Sequence, residues 1–275
     1  MIVDSHQHLW QIGKNGHEWP TPDLAPIHRD FVTADLTAVA GAAGVGATVL
    51  VQSQPADIDT DWMLDVAEAT PLIQGVVGWA DLAAPDAPQR LAELARRPKL
   101  RGIRPMLQGL ADDNWILRDN VRPALEALLR LDLRFDALVF TRHLAAIGRL
   151  ARTFPDLPII IDHCAKPPLA AGDLGAWREA IARVAEHANV TCKLSGLFTE
   201  MRADQPVDDA RPVADHVLSI FGPERLMWGS DWPVVLLRQP YGNWLDWTKA
   251  WLDGKTADVT TDILGNTARR VYALP

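Results

Sequence analysis

Eight short runs rich in β-branched and aromatic residues, each separated from the next by a stretch long enough for one helix, constrain this chain more than any other feature. They are IVDSHQHLW (2–10), ATVLVQS (47–53), IQGVVGWADL (73–82), LRGIRPML (100–107), LRFDALVF (133–140), PIIIDHCAKP (158–167), VTCKLSGL (190–197) and RLMWGSDWPV (225–234). Strands alternating with helices make βαβ units and a parallel sheet. Eight such units can close on themselves, so the expected fold is α/β, a (β/α)8 TIM barrel. A doubly wound open sheet is the alternative, because counting strands does not prove closure.

The intervening segments carry helical periodicity. After Asp173, a side chain suited to accept the first free N–H groups of a helix, Leu174, Trp177, Ile181, Val184 and Ala188 recur at helical spacing. Val213, Val217, Ile220 and Phe221 do likewise and stop at Gly222 and Pro223. Helices are also expected over 57–70 and 86–97. Two segments break the rhythm: 11–30, with Trp19, Pro20, Pro22 and Pro26, and 199–212, rich in Asp and Arg. Loops that follow strands build the functional face of a barrel, so both could cover a pocket, or simply connect elements through solvent.

At 275 residues, with no Gly/Ser linker and no charge block, the chain reads as one domain, 1–275. Its 48% hydrophobic and 23% charged residues supply a core and an ordinary surface. A net charge of -8 without a basic stripe argues against nucleic acid and for a small-molecule partner. No run approaches the roughly 18 apolar residues that cross a bilayer, and residues 1–10 lack a basic-then-apolar leader, so no membrane partner and a cytoplasmic location are expected. The oligomeric state stays open, a homodimer included. Cys164 and Cys192 lack CxxC spacing and read as reduced wall residues; Cys164 directly follows His163, which raises a nucleophilic thiol as the alternative, but no candidate base has the spacing that would support it.

In a barrel, chemistry gathers at the C-terminal ends of the strands. There the chain places His6 and His8, Trp79 and Asp81, Arg104 and Gln108, His163 and Lys166, Lys193 and Ser195, and Asp231 and Trp232. Alternation along an extended strand makes His6 and His8 project together. Closure would set the first strand beside the last and bring Asp231 to them. His17, His28, His143, His187 and His216 fall in the first loop or in helical stretches, where exposed or capping roles are expected. If Lys193 points into the barrel, Cys192 points out toward the helices.

These residues carry a resemblance. DSHQHLW, DHCAKP, KLSGL, RLMWGSDWPV and the terminal ILGNTARRVYAL resemble the second amidohydrolase family, specifically its sugar-lactonase branch, over residues 2–274. The resemblance implies a (β/α)8 barrel in which His6, His8, His163 and Asp231 surround a reacting carbonyl. That branch includes hydrolases of L-fucono- and L-rhamnono-type lactones and of dicarboxylic lactones, and a few lactone isomerases. This chain departs from the wider superfamily: the fifth run ends in LVF (138–140) without a histidine, and the fourth ends without a carboxylate, so a two-metal centre lacks ligands. His6, His8, His163 and Asp231 could still hold one Zn²⁺ or Mn²⁺. The resembling lactonases are similar to enzymes that work without a metal, so no cofactor is expected to be required.

Opening a lactone needs a polarised carbonyl and an activated water. Asp231, the one acid at the expected centre, suits the general base, and His6, His8 and His163 suit donors to the developing oxyanion. Arg104 and Lys193 would face the product carboxylate, with Arg101 competing for the place of Arg104. Trp79 and Trp232 would offer flat faces to a sugar ring; Trp244, Trp247 and Trp251, at helical spacing, would pack in the shell. The expected activity is hydrolysis of a sugar-derived 1,4- or 1,5-lactone of L-fucono, L-rhamnono or L-galactono configuration to the aldonate. A metal-dependent decarboxylase of the same family, a lactone isomerase and a non-catalytic sugar-acid binding protein are the alternatives.

Overall fold

The computed structural model describes residues 1–275. Strands β1 (Ile2–Gln7), β2 (Val45–Val51), β3 (Ile73–Gly78), β4 (Leu100–Ile103), β5 (Arg134–Ala137), β6 (Ile159–Ile161), β7 (Val190–Leu194) and β8 (Leu226–Trp228) form one sheet in chain order. All neighbouring pairs are parallel. Helices α1 (Thr33–Ala43), α2 (Asp57–Ala69), α3 (Ala87–Leu94), α4 (Arg122–Arg130), α5 (Leu144–Thr153), α6 (Gly175–Ala185) and α7 (Arg211–Phe221) cross between successive strands, and α8 (Tyr241–Leu252), α9 (Ala257–Thr261) and α10 (Thr267–Val271) follow β8.

The sheet closes, which removes the open-sheet alternative. Ser5 Oγ donates to the Trp228 carbonyl at 2.7 Å, the Asp231 N–H to the His6 carbonyl at 2.8 Å and the His8 N–H to the Trp232 carbonyl at 2.7 Å. Closure thus runs through the segment just past β8, where Gln7 and Trp232 form a parallel bridge. That segment carries Asp231, so closing the barrel and placing the acid beside His6 and His8 are one event.

Each strand stops short of its sequence run. β6 and β8 keep only three residues each, III and LMW, because the polar tails DHCAKP and GSDWP leave the ladder for turns. α6 also ends earlier than the periodicity suggests. Asp173 Oδ1 accepts the Gly175 N–H at 2.9 Å and Trp177, Ile181 and Val184 are buried, but the helix ends at Ala185 and Ala188 lies exposed beyond it. α7 buries Val213, Val217 and Phe221 and stops at Gly222, whose φ of 70° favours glycine.

The strands separate two apolar regions. Outside lies the large core shared with the helices, which takes in Cys192 and, on α8, the indoles of Trp244, Trp247 and Trp251, stacked at interplanar angles of 14° and 10°. Inside, Val49, Val51, Val77, Ile160 and Met227 fill the lumen, and Tyr272 and Leu274 of the C-terminal segment plug it from below. Above that floor the lumen turns polar. No helix is long and apolar enough to cross a membrane.

Candidate active site

The turn after β6 is backbone held against its preference. His163, Cys164, Ala165 and Lys166 have φ of 52°, 53°, 58° and 50°, four consecutive non-glycine residues in the left-handed region. Each costs roughly 1–2 kcal/mol, and such strain gathers at functional sites where packing over-determines it. Here Trp177 Nε1 donates to the Cys164 carbonyl at 2.7 Å and Cys164 Sγ to the Lys193 carbonyl at 3.3 Å. Gly196 makes room, since a β-carbon there would stand 2.6 Å from His163 Nδ1. The result is that His163 and Lys166, three residues apart, both reach one cavity wall. Asp231 is also left-handed, at φ 55°.

His8 Nδ1 lies 2.8 Å from the Val51 carbonyl, an acceptor only, so Nδ1 carries the hydrogen. Its Nε2 then faces His6 Nε2 and Asp231 Oδ1, each at 3.2 Å. His163 sets Nδ1 2.9 Å from Ser195 Oγ and Nε2 3.9 Å from Asp231 Oδ1. His6, His163 and Asp231 bring ligand atoms within 4.8 Å of one another. Burial holds the His163 imidazole down to about 4, so the ring is neutral at neutral pH. Burial and then the Lys193 ammonium hold His6 well below its ordinary value. Burial alone would raise Asp231, but His163, His8 and His6 outweigh it and keep the carboxyl well below the usual carboxylate range. The centre therefore pairs a carboxylate with the neutral rings of His6 and His163.

Asp4, two residues before His6, is a clamp rather than a reactant. Its carboxyl accepts the Ser230 N–H at 2.8 Å, the Ser230 hydroxyl at 2.6 Å and the Tyr241 hydroxyl at 3.0 Å, tying β1 to the strand-8 turn and α8. Burial pushes it up to about 6. A folded-state value above the unfolded one contributes stability that is complete below about pH 4 and lost as pH rises through about 6, by as much as about 3 kcal/mol. Asp4→Asn should flatten that slope, as urea denaturation at pH 4 to 7 will report; an unchanged slope would assign it to other groups.

Beneath the centre, the polar lumen corrects two expectations. Lys193 points inward, as its strand face requires, but is wholly buried, with Nζ 2.6 Å from Asp136 Oδ2, 2.9 Å from Asp162 Oδ1 and 3.2 Å from His6 Nδ1. Tyr272 donates its hydroxyl to Asp136 Oδ2 at 2.6 Å. Lys193 therefore supports His6 from below and has no path to a substrate. His6 itself is fully buried, placed behind His8 rather than in the wall.

The cavity above holds about 460 Å³, and His8, Arg104, His163 and Asp231 line it. Trp79 and Trp232 do not. Trp232 is 1% exposed and packs edge-on against Phe31, because the residue after a left-handed Asp231 turns away from the lumen. Trp79 lies past the end of β3, its N–H and carbonyl both tied to the Thr60 hydroxyl. The aromatic wall comes instead from Trp19, with Glu18 beside it. Their loop is pinned by His17, whose buried Nε2 lies 3.1 Å from Asp59 Oδ1 on α2, and by Gln54 Nε2, which donates to the Trp19 carbonyl at 2.7 Å. His17 is thus an anchor and not an exposed side chain. His143 does cap, accepting the Phe140 N–H at 3.0 Å.

A closed barrel whose strand ends gather an HxH pair, a third histidine and an aspartate around one cavity defines a class, the amidohydrolase-type barrels. The sequence agrees: the family model described as Amidohydrolase matches residues 3–274, and the chain belongs to that family. It is 46% identical over 276 residues to an L-fucono-1,5-lactonase of Burkholderia ambifaria, covering 99% of this chain and 95% of the relative. An L-fucono-1,5-lactonase of Burkholderia multivorans is 35% identical, with 99% and 96% covered. Among solved structures, an amidohydrolase from Burkholderia multivorans with bound Zn superposes with a TM-score of 0.94 at 34% identity, all of both chains covered.

Proposed function

We propose that this protein is a hydrolase that opens a sugar-derived 1,4- or 1,5-lactone, of L-fucono, L-rhamnono or L-galactono configuration, to the aldonate. It would work as one domain, 1–275, in the cytoplasm. The observation that carries the reading is the buried Asp231 carboxylate, set between His8 and His163 under a cavity of about 460 Å³. The similarity to two L-fucono-1,5-lactonases supports it.

In this reading a water in the cavity attacks the carbonyl carbon while Asp231 takes its proton. His163, receiving the Ser195 hydroxyl at Nδ1, donates Nε2–H to the carbonyl oxygen as it becomes an oxyanion, a contact worth about 2.7–4 kcal/mol of barrier. The ring C–O bond then breaks, and the proton held by Asp231 passes to the departing alkoxide. The new acid ionises, releasing one proton per turnover. His8 orients Asp231, and His6 and Arg104 back them.

The donor set also fits a divalent ion. His8 presents a lone pair at Nε2 to a carboxylate oxygen 3.2 Å away, a pairing that a cation between them would favour. His6, His8, His163 and Asp231 would hold Zn²⁺ or Mn²⁺, which when bound lowers the pKa of a coordinated water. Asp231 and the His163 donor already supply a base and an oxyanion contact without an ion, so chelator-treated protein, shown metal-free by elemental analysis, should keep most of its lactonase rate. Loss on stripping with recovery on Zn²⁺ or Mn²⁺ would favour the metal-dependent hydrolase or decarboxylase reading. The test of function itself is a pH-indicator screen of sugar lactones: a hydrolase acidifies the medium, whereas an isomerase or a binding protein does not.

A further inference from the structure

The cations that face the cavity are already matched by carboxylates behind them. Lys166 Nζ, brought to the wall by the left-handed turn, lies 3.7 Å from Glu200 Oε1, the two side chains 21% and 23% exposed. Arg104 is more fully committed: Nη1 donates to Asp162 Oδ2 at 3.1 Å and Nη2 to the Gln52 carbonyl. The wall then adds carboxylates of its own, Glu18 and Asp231. Beneath, Lys193 and Asp136 cancel. Four carboxylates against Arg104 and Lys166 leave the site negative, with no free cation. The gap between Lys166 and Glu200 is too long for a direct hydrogen bond, so Lys166, which lines the cavity, keeps capacity for a sugar hydroxyl.

We propose that Glu200 is a specificity-determining residue: by holding a carboxylate against Lys166 it admits neutral polyhydroxylated lactones and turns away lactones that bear a further carboxylate or sulfonate. An anionic substituent at Lys166 would have to share the ammonium with Glu200 in a partly desolvated wall, and like charges close together suppress a wrong ligand. The inference rests on the lactonase reading and names which lactones that site takes.

The test compares wild type with Glu200→Gln, which keeps shape and loses charge. Galactono-1,4-lactone and its C6-oxidised counterpart galactaro-1,4-lactone serve as substrates at pH 8, with galactonate and galactarate binding followed by calorimetry. Wild type should favour the neutral lactone, and Glu200→Gln should narrow the ratio of kcat/KM values about tenfold, or ~1.4 kcal/mol, with galactarate binding tightened to match. Adding Lys166→Met should erase that gain, and thermal melts establish that each variant is folded. An unchanged ratio and unchanged galactarate affinity in folded Glu200→Gln would overturn the proposal. If wild type opens neither of these nor any lactone of the pH-indicator screen, the lactonase reading fails, and the calorimetric comparison still decides the role of Glu200.

Discussion

Asp231→Asn should lower lactone turnover by about 10²–10⁴-fold while leaving the melting temperature near that of wild type. The amide keeps the shape, and its Nδ2–H can donate to the His8 Nε2 lone pair 3.2 Å away, so the strand-8 turn and the barrel closure it carries are retained. What it loses is the ability to take a proton from water. The remaining donors, His163 above all, still polarise the carbonyl, which accounts for a residual rate. Steady-state kinetics with a melt on the same sample decide the matter. A folded Asp231→Asn protein with wild-type hydrolysis would remove Asp231 from the base role and with it the proposed mechanism.

Lys193→Met should cost about 3–5 kcal/mol of stability, the range for stripping one partner from a buried ion pair. Lys193 is fully buried between Asp136 and Asp162, and its loss would leave those carboxyls facing each other with only Arg104, His6 and Tyr272 for company. At present burial raises Asp136, whereas Lys193, His6 and Arg104 outweigh burial at Asp162 and hold it well below the usual range. Without the ammonium, a carboxyl of the pair must take up a proton to stay folded. A raised folded-state value gives stability that is lost as pH rises, so the deficit should be larger at pH 8 than at pH 5. Lys255→Met, on the surface, should stay within about 0.5 kcal/mol of wild type. Urea denaturation of both variants measures the contrast, and equal effects would show that the lumen tolerates an unpaired carboxylate.

The histidine pair, the turn histidine and the late aspartate were legible because each stands in a polar break at the end of an apolar run, a pattern that survives without coordinates. Lys193 was legible as an inward residue, since alternation along β7 sets its face. Its depth was not. Alternation gives a direction but no height in the lumen, and the acids that claim Lys193, Asp136 and Asp162, lie 57 and 31 residues before it. Trp79 and Trp232 failed for a related reason: past the last ladder hydrogen bond the period of two no longer holds, and a single left-handed residue turns its neighbour away from the cavity. Glu18 and Trp19 carried no periodic signal at all, and contacts to distant residues, His17 with Asp59 and Gln54 with Trp19, fix their loop over the site.

The sequence by itself determined the eight βα units, because apolar runs at helix-length spacing bury parallel strands against helices, while closure into a barrel was decided by contacts between the first strand and the last strand with its turn. It also determined the chemical types gathered at the strand ends. Only the tertiary structure decided which of those groups meet the cavity and which neutralise one another beneath it. Burial, charge pairing and left-handed turns are set by contacts between distant segments, and such contacts leave no period in the chain.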